Sequence, residues 1–173
     1  MSQSKKYYGK YRGTVFNNVD PEQLGRIMAI VPDVHGVTPT AWALPCMPIA
    51  GNQQGIYVVP HIGDAVWIEF EQGDSEHPIW VGGFWSSMAE VPSAALAGNL
   101  TEPNIVIQSR LQQSVVISDM PPSPNTGGVI LHSSNGASII VNDVGIFISN
   151  GKGAIISMVG PTVSINNGAL EII

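Results

Sequence analysis

The residues with the clearest potential for chemistry are Glu69 and Glu71, which lie two positions apart at the end of an alternating segment. Two carboxyl groups on one strand face could act as the acid and the base of glycoside hydrolysis, so a small peptidoglycan-degrading enzyme is one hypothesis. Carboxylates are almost always solvated, however, which favours an exposed strand face that continues into a turn. We therefore predict that the protein is not an enzyme and has no catalytic residues.

Other reactive side chains are isolated from one another. Asp33 and His35 supply two potential metal ligands, which is too few for a metal site. Cys46 is the only cysteine, so an internal disulfide is excluded, and no cation or histidine flanks it. Small packed cysteines are more common than nucleophilic ones, and we expect Cys46 to be packed. The sequence predicts neither a metal nor a cofactor.

Composition excludes several classes of protein. Charged residues make up 12% of the 173 residues, and the chain contains 19 glycines and 13 prolines. This composition excludes a long-helix protein, while 44% hydrophobic residues argue against disorder. A net charge of −6 with seven basic residues argues against nucleic-acid binding. The N-terminus lacks the apolar stretch of a secretory signal, so we expect assembly in the cytoplasm.

The first half of the chain predicts five short strands separated by turns. The strands are expected at 11–17, 25–31, 55–59, 65–70 and 79–84. In the segment 65–70, Val66, Ile68 and Phe70 share one face. Because closure removes exposed sheet edges, a small OB-fold-like or SH3-like barrel is favoured, with an open sandwich as the alternative.

The second half of the chain repeats. Gly128, Gly136, Gly145, Gly153, Gly160 and Gly168 separate short alternating segments by seven to nine residues. A single-chain β-helix uses about 20 residues per coil and needs about three coils for stability, whereas 127–173 supplies about two. The repeat therefore predicts that three chains intertwine into a β-prism needle whose aliphatic faces meet at the axis.

These patterns define the expected organisation of an all-β protein. We predict an OB-fold-like five-stranded barrel at 1–87, a linker at 88–104 and a short trimeric β-helical spike at 105–173. The residues expected in the needle's trimer interface are Val129, Leu131, Ile139, Val141, Ile146, Ile148, Ile156, Val163, Ile165, Leu170 and Ile172.

The ordered motifs of the first half resemble those of contractile-injection spikes: phage baseplate assembly protein V, the phage central spike and VgrG-type spikes. The resemblance rests on the segments 11–15, 18–21, 25–27, 31–32, 42–45, 48–51, 60–70, 73–74 and 78–83, with Gly25, Arg26, Pro32, Pro60, Gly63, Asp64 and Trp67 as the motif residues of the barrel. The glycine-rich repeat is similar to the spike prism of this family.

The resemblance implies an OB-fold domain, a homotrimer and a needle that pierces the target envelope, with only transient contact to its membrane. It places the protein in a phage tail or in an extracellular or cell-anchored particle. The chain is too short to contain the hub, so a separate baseplate hub protein is implied, with the inner tube or an effector as further candidate partners. No histidine follows His132, so the metal-binding His-x-His tip of some needles is absent. The apolar end formed by Ala169, Leu170, Ile172 and Ile173 instead predicts contact with a PAAR-like tip protein.

A carbohydrate-binding OB module on a stalk is a further alternative, because OB faces often bind oligosaccharides. Trp42, Trp67, Trp80 and Trp85 could stack on sugars. We expect them to lie mainly in the core, and the position of Trp85 is left open.

Overall fold

The computed structural model describes residues 5–172, with the exception of the Glu171 side chain. The chain divides into two compact units between Ser86 and Ser87. Among the described residues, all strand pairs but one are antiparallel, and the helices are all short.

The first unit is a five-stranded sheet that curls into a half-barrel, as expected for an OB-like domain. It contains β1 (Tyr11–Asn17), β2 (Met28–Ile30), α1 (Pro32–His35), β3 (Leu44–Pro45), β4 (Ala50–Gly51), β5 (Gln54–Gly55), β6 (Ala65–Phe70), a 3-10 turn (Glu71–Gly73) and β7 (Pro78–Gly83). The strand order is β2-β1-β6-β7-β3, and β4 and β5 form a separate hairpin.

The core of the first unit lies on one face of this sheet. Alternation along β6 buries Val66, Ile68 and Phe70, and these pack with Val15, Ile27, Ala29, Val31, Ala43 and Trp80. Ile27 and Ile68 have no exposed surface at all. The unit therefore has a complete apolar core of its own.

One strand prediction in this unit is wrong. The segment predicted as a strand at 55–59 forms no strand beyond Gly55. The fifth strand is instead β3, which pairs in parallel with β7 through Leu44–Ile79 and Pro45–Trp80. The side chains of Ile56, Tyr57 and Val58 are exposed in this segment, which ends at Pro60.

The second unit begins with the residues predicted as a linker. They form a 3-10 turn (Met88–Glu90) and the short helix α2 (Ser93–Leu96). The strands that follow are β8 (Ile105–Gln108), β9 (Ser114–Ser123), β10 (Thr126–His132), β11 (Ser138–Asn142), β12 (Gly145–Ser149), β13 (Ile155–Val159), β14 (Thr162–Ile165) and β15 (Leu170–Ile172).

These eight strands form one antiparallel meander in which each strand pairs with its sequence neighbours. Glycines permit the tight connections. Gly145, the first residue of β12, lies so close to β13 that a Cβ atom there would lie 2.2 Å from the carbonyl oxygen of Met158. The sheet thus has two edge strands, β8 and β15, and two faces of different chemistry.

Candidate functional site

Each of the eight strands of the second unit carries two apolar side chains on the same face of the sheet. The cross-strand register places them in two continuous ladders. The first ladder is Ile105–Ile117–Val129–Val141–Ile146–Met158–Val163–Ile172, and the second is Ile107–Val115–Leu131–Ile139–Ile148–Ile156–Ile165–Leu170. We call these sixteen side chains the aliphatic face.

The aliphatic face is largely open in the single chain. Ile105 is 64% exposed, Ile107 is 72% exposed, and Leu131 near the middle of its ladder is 45% exposed. The largest apolar patch on a typical monomer covers only about 300–600 Å², and a larger one usually marks a contact site. Two uninterrupted ladders across eight strands fit a surface that another chain covers.

The opposite face has a different composition. Val116, Ile140 and Phe147 are buried there, and they are accompanied by serines such as Ser118 and Ser157. Serine hydroxyl groups can hydrogen-bond to water and to nearby backbone groups. The Ser118 Oγ, for example, accepts a hydrogen bond from the Met120 N–H at 3.3 Å. The two faces therefore differ in the polarity of their exposed surface.

All eleven residues predicted for the needle's trimer interface lie on the aliphatic face. Sequence reasoning missed five further members: Ile105, Ile107, Val115, Ile117 and Met158. The signal was present as alternation in the segments 105–108 and 114–118. Ile105, Ile107, Val115 and Ile117 lie before Gly128, where the glycine repeat begins, whereas Met158 lies inside the repeat.

The residues predicted to contact a tip protein lie at the last strand. Leu170 and Ile172 are the final members of the two ladders and are more than half exposed. Ala169 lies in the turn before β15, and its N–H donates to the Asn166 carbonyl at 3.4 Å. Ile173 lies outside the described residues.

In the first unit, Arg26 is part of a charged cluster. Its Nη2 and Nε donate to the Asp20 carboxylate at 2.6 and 3.1 Å, and its Nη2 also lies 3.0 Å from Glu22. The same carboxylate accepts backbone N–H bonds from Glu22 and Leu24. The Arg26 side chain, assisted by these N–H donors, holds the pKa of Asp20 well below its usual range, although burial acts in the opposite direction.

The other motif residues shape the turns and faces of the half-barrel. Gly25 has φ = +77°, and its carbonyl accepts from the buried Trp80 Nε1 at 3.0 Å. Gly63, at φ = +93°, precedes Asp64, whose Oδ2 accepts from the His61 N–H at 2.7 Å.

Pro32 and Pro60 end extended segments. Pro32 is the first residue of α1, where its fixed φ suits the helix, and the Pro60 carbonyl accepts from the Asn18 amide at 2.9 Å. Trp67 lies on the outer face of β6, where its ring is 4.7 Å from the Phe84 ring and 5.6 Å from the Arg12 guanidinium. Each of these contacts joins two residues of the first unit.

Two family models match the chain. A model described as the type VI secretion system/phage-baseplate injector OB domain matches residues 11–85. A second, described as the phage baseplate V C-terminal trimerisation domain, matches residues 104–171. The chain belongs to the phage baseplate V family. A comparison with curated proteins found no match.

Membership of the baseplate V family agrees with the geometry of both units. The OB match contains the whole five-stranded sheet, from β1 to β7. The trimerisation match begins immediately before β8 and extends into β15, so it contains nearly all of the aliphatic face. The segment that matches the trimerisation domain is therefore also the segment that carries the exposed apolar ladders.

The candidate reactive residues do not form a site in this baseplate V chain. The prediction that Glu69 and Glu71 share a strand face is wrong, because β6 ends at Phe70 and Glu71 begins the 3-10 turn. Glu69 forms an ion pair with Lys10. Cys46 is exposed, so the prediction that it is packed is also wrong. Among residues 5–172, no group of three or more His, Cys, Asp or Glu side chains could hold a metal ion.

The tryptophans are distributed unevenly between core and surface. Trp80 is buried, Trp42 lies under the Arg26 guanidinium at 5.6 Å, and Trp85 is 63% exposed. Of the four tryptophans, Trp85 alone is largely exposed. In the described part of the chain, no helix has both the length and the apolar character needed to cross a bilayer.

Proposed function

We propose that this protein is a homotrimeric spike at the tip of a contractile injection machine, where it docks on a separate hub protein and pierces the target envelope. The observation that carries this proposal is the aliphatic face: sixteen apolar side chains in two uninterrupted ladders, all but Ile172 inside the segment that matches a trimerisation domain. The matched families are structural components of baseplates.

Burial supplies the free energy for trimer formation. Full burial of one Val, Leu or Ile side chain is worth about 1.5–3 kcal/mol, and twelve of the sixteen side chains on this face are still 37–72% exposed. A threefold axis brings three identical faces together, which covers all of them with no additional protein. The resulting β-prism has its apolar ladders at the axis and its serine-bearing faces outside.

The proposed needle is a short, stiff rod. Seven intervals between eight neighbouring strands, at about 4.8 Å each, give a length of roughly 34 Å. Each strand pairs with its neighbours in the same chain, so each chain can build a wall of the prism from its own ladder while the three walls wind about the axis. A narrow rod of this kind concentrates force on a small area of envelope.

The ends of the proposed needle suggest its partners. The edge strand β15 carries the exposed Leu170 and Ile172, and an edge strand presents unpaired backbone groups. A PAAR-like tip protein would cover that end, and the hub would bind the OB unit. The inner tube or an effector would be further partners, in a phage tail or an extracellular or cell-anchored particle that is assembled in the cytoplasm.

The trimer is tested by measuring the mass of the full chain in solution, together with two variants on the same strand. Ile139→Asp places a charge in the middle of the aliphatic face, whereas Ser138→Asp places the same charge on the opposite face. We expect wild type and Ser138→Asp to have three times the mass of one chain at micromolar concentration, and Ile139→Asp to be monomeric, as measured by light scattering coupled to size exclusion.

Circular dichroism is measured on each variant, because it shows whether a lower mass reflects dissociation of folded chains or loss of the strands. A wild-type monomer at micromolar concentration would contradict the proposal. A trimeric, fully folded Ile139→Asp variant would show that the aliphatic face is not at the axis. Electron-microscope projections of the isolated trimer should then show a tapered rod.

A further inference from the structure

The meander has two lateral sides, because successive connections alternate between the two ends of the strands. The longer connections, of four or five residues, all lie on one side, at 109–113, 133–137, 150–154 and 166–169. The two-residue connections all lie on the other side, at 124–125, 143–144 and 160–161. We call them the long-loop side and the short-turn side. One chain thus presents two different surfaces at the ends of its strands.

The charged side chains of the meander are sorted between these two sides. From β8 to β14 the sequence contains only four Lys, Arg, Asp or Glu residues. Both cations, Arg110 and Lys152, lie in connections of the long-loop side. Asp143 lies in a connection of the short-turn side, and Asp119 follows Ile117, the last ladder member of β9, towards the same side. The long-loop side is therefore basic and the short-turn side is acidic.

These four side chains have no ion-pair partner in their own chain. All four residues are exposed, and among residues 5–172 every ion pair lies in the first unit. The sheet itself keeps opposite charges apart, since β12, with five residues at about 3.4 Å each, separates Asp143 from Lys152 by roughly 17 Å. Each charge is therefore open to a contact with another chain.

Opposite charges lie at matching heights along the axis of the proposed needle, where each strand adds about 4.8 Å. Arg110 lies in the connection between β8 and β9, and Asp119 lies on β9, so their heights differ by less than one strand. Asp143 and Lys152 lie in the connections that precede and follow β12, so their heights differ by one strand. Arginine and lysine have long side chains that can span an offset of this size.

A threefold ring brings the two sides together. In the proposed prism of three walls, the long-loop side of each wall meets the short-turn side of the next, and the ring closes after three copies. We propose that Arg110 pairs with Asp119 of the next copy, and Lys152 with Asp143 of the next copy, at each corner of the needle. Contact between two long-loop sides would instead bring cations against cations. The inference rests on the proposed homotrimer and deepens it, because it assigns the corner contacts and the head-to-tail order of the chains.

The ion pairs add to the contribution of the aliphatic face. One exposed ion pair contributes little to stability, but each pair recurs at every corner of the ring. Reversing the charge of one partner replaces attraction with repulsion at all of the corners at once. Because the four residues are exposed, the reversed variants should keep their strands. Charge reversal in the full chain is therefore a sensitive test.

The first experiment compares three variants by light scattering after serial dilution. The basic side is reversed in Arg110→Glu/Lys152→Glu, the acidic side in Asp119→Lys/Asp143→Lys, and both sides in the fourfold variant. We expect each double variant to dissociate at a protein concentration at least about ten times that of wild type, and the fourfold variant to stay within about threefold of wild type. The two double variants change the net charge in opposite directions, so net charge alone cannot weaken both.

Restoration in the fourfold variant is the decisive result, because it requires that the two sides face each other. If the fourfold variant dissociated at the same concentration as the double variants while its circular dichroism matched wild type, the pairing would be overturned. Unchanged dissociation of both double variants would overturn it as well.

The second experiment links engineered cysteines with a short bis-maleimide in a Cys46→Ser background, because Cys46 is exposed. Arg110→Cys/Asp119→Cys and Lys152→Cys/Asp143→Cys test the two corner pairs. Arg110→Cys/Asp143→Cys is the control, since the two connections differ in height by three strands, or about 14 Å. Denaturing gels should show covalent dimers and trimers for both test pairs and single chains for the control.

The outcomes separate this inference from the proposed function. A trimeric protein without interchain links in either test pair overturns the corner contacts and leaves the trimer intact. Links in the control that equal those in the test pairs also overturn the assigned pairs. A monomeric wild type overturns both the trimer and the corner contacts.

Discussion

In the OB unit, Ile27, Val66 and Ile68 are completely buried by their own chain, whereas in the sheet unit Ile105, Ile107 and Leu170 stay more than half exposed. Both units have similar aliphatic residues, and both use strand alternation to place them on one face. The difference is that the half-barrel curls around its apolar face, while the eight-stranded meander leaves one face open. The comparison teaches that the first unit completes its core alone, whereas the second leaves apolar surface that the proposed trimer would cover.

The distribution of tryptophan makes the comparison measurable. All four tryptophans lie in the first unit, so their fluorescence reports on the OB unit alone, whereas circular dichroism reports on both units. Unfolding of the OB unit should be independent of protein concentration. Unfolding of the sheet unit should shift to higher denaturant as protein concentration rises, because dissociation accompanies it.

The largest expected effect comes from matched truncations, Ile68→Ala in the OB unit and Ile139→Ala on the aliphatic face. Ile68→Ala should lower the free energy of unfolding of the OB unit by about 2–5 kcal/mol at any protein concentration, because it empties a closed core. Ile139→Ala should destabilise only the sheet unit, and the loss should show as dissociation at a higher protein concentration. Urea titrations at two protein concentrations, followed by both probes, would check this.

If Ile139→Ala destabilised the sheet unit equally at both concentrations, the open face would not be an intermolecular contact. If Ile68→Ala showed a concentration dependence, the OB unit would itself drive association, and the contrast between the two units would fail.

A smaller effect is expected from two glycines with ordinary backbone angles. A Cβ at Gly145 would lie 2.2 Å from the Met158 carbonyl oxygen, whereas at Gly13 the nearest atom is the Ile68 Cγ1, at 3.1 Å. A backbone oxygen cannot move without disturbing the strand, but an isoleucine side chain can shift. Gly145→Ala should therefore destabilise the sheet unit by about 1–3 kcal/mol, and Gly13→Ala should cost the OB unit less. Thermal melts followed by fluorescence and circular dichroism would measure the stability that each variant loses. Equal losses of stability for Gly145→Ala and Gly13→Ala would argue against a close strand approach at Gly145.

The smallest effect concerns acid. Because the pKa of Asp20 is lowered in the folded OB unit, its contribution to stability is fully present above about pH 5. That contribution is lost as the pH falls through the unfolded value of about 4 towards the folded one. Fluorescence-detected melting from pH 6 to pH 2 should show a steeper decline for wild type than for Asp20→Asn. Parallel curves for the two proteins would show that the Arg26 pairing does not stabilise the fold.

Much of the aliphatic face could be predicted from the sequence. Successive side chains of a strand point to opposite faces, so alternation alone places Ile139 with Val141 and Ile146 with Ile148. The motif set around Gly25 and Asp64 likewise indicated the OB unit that the family match later showed. The trimer interface and the tip contact remain predictions, since they concern other chains.

Other features depended on tertiary structure because local sequence carries little information about them. The two-residue strand β3 lies in a proline-rich loop and is defined only by its pairing with β7, 35 positions further along the chain. The end of β6 at Phe70, which separates Glu69 from Glu71, depends on the 3-10 turn that returns the chain to β7. Alternation thus determined which side chains of a strand share a face. Only long-range pairing decided how many strands extend that face, and whether the chain's own atoms cover it.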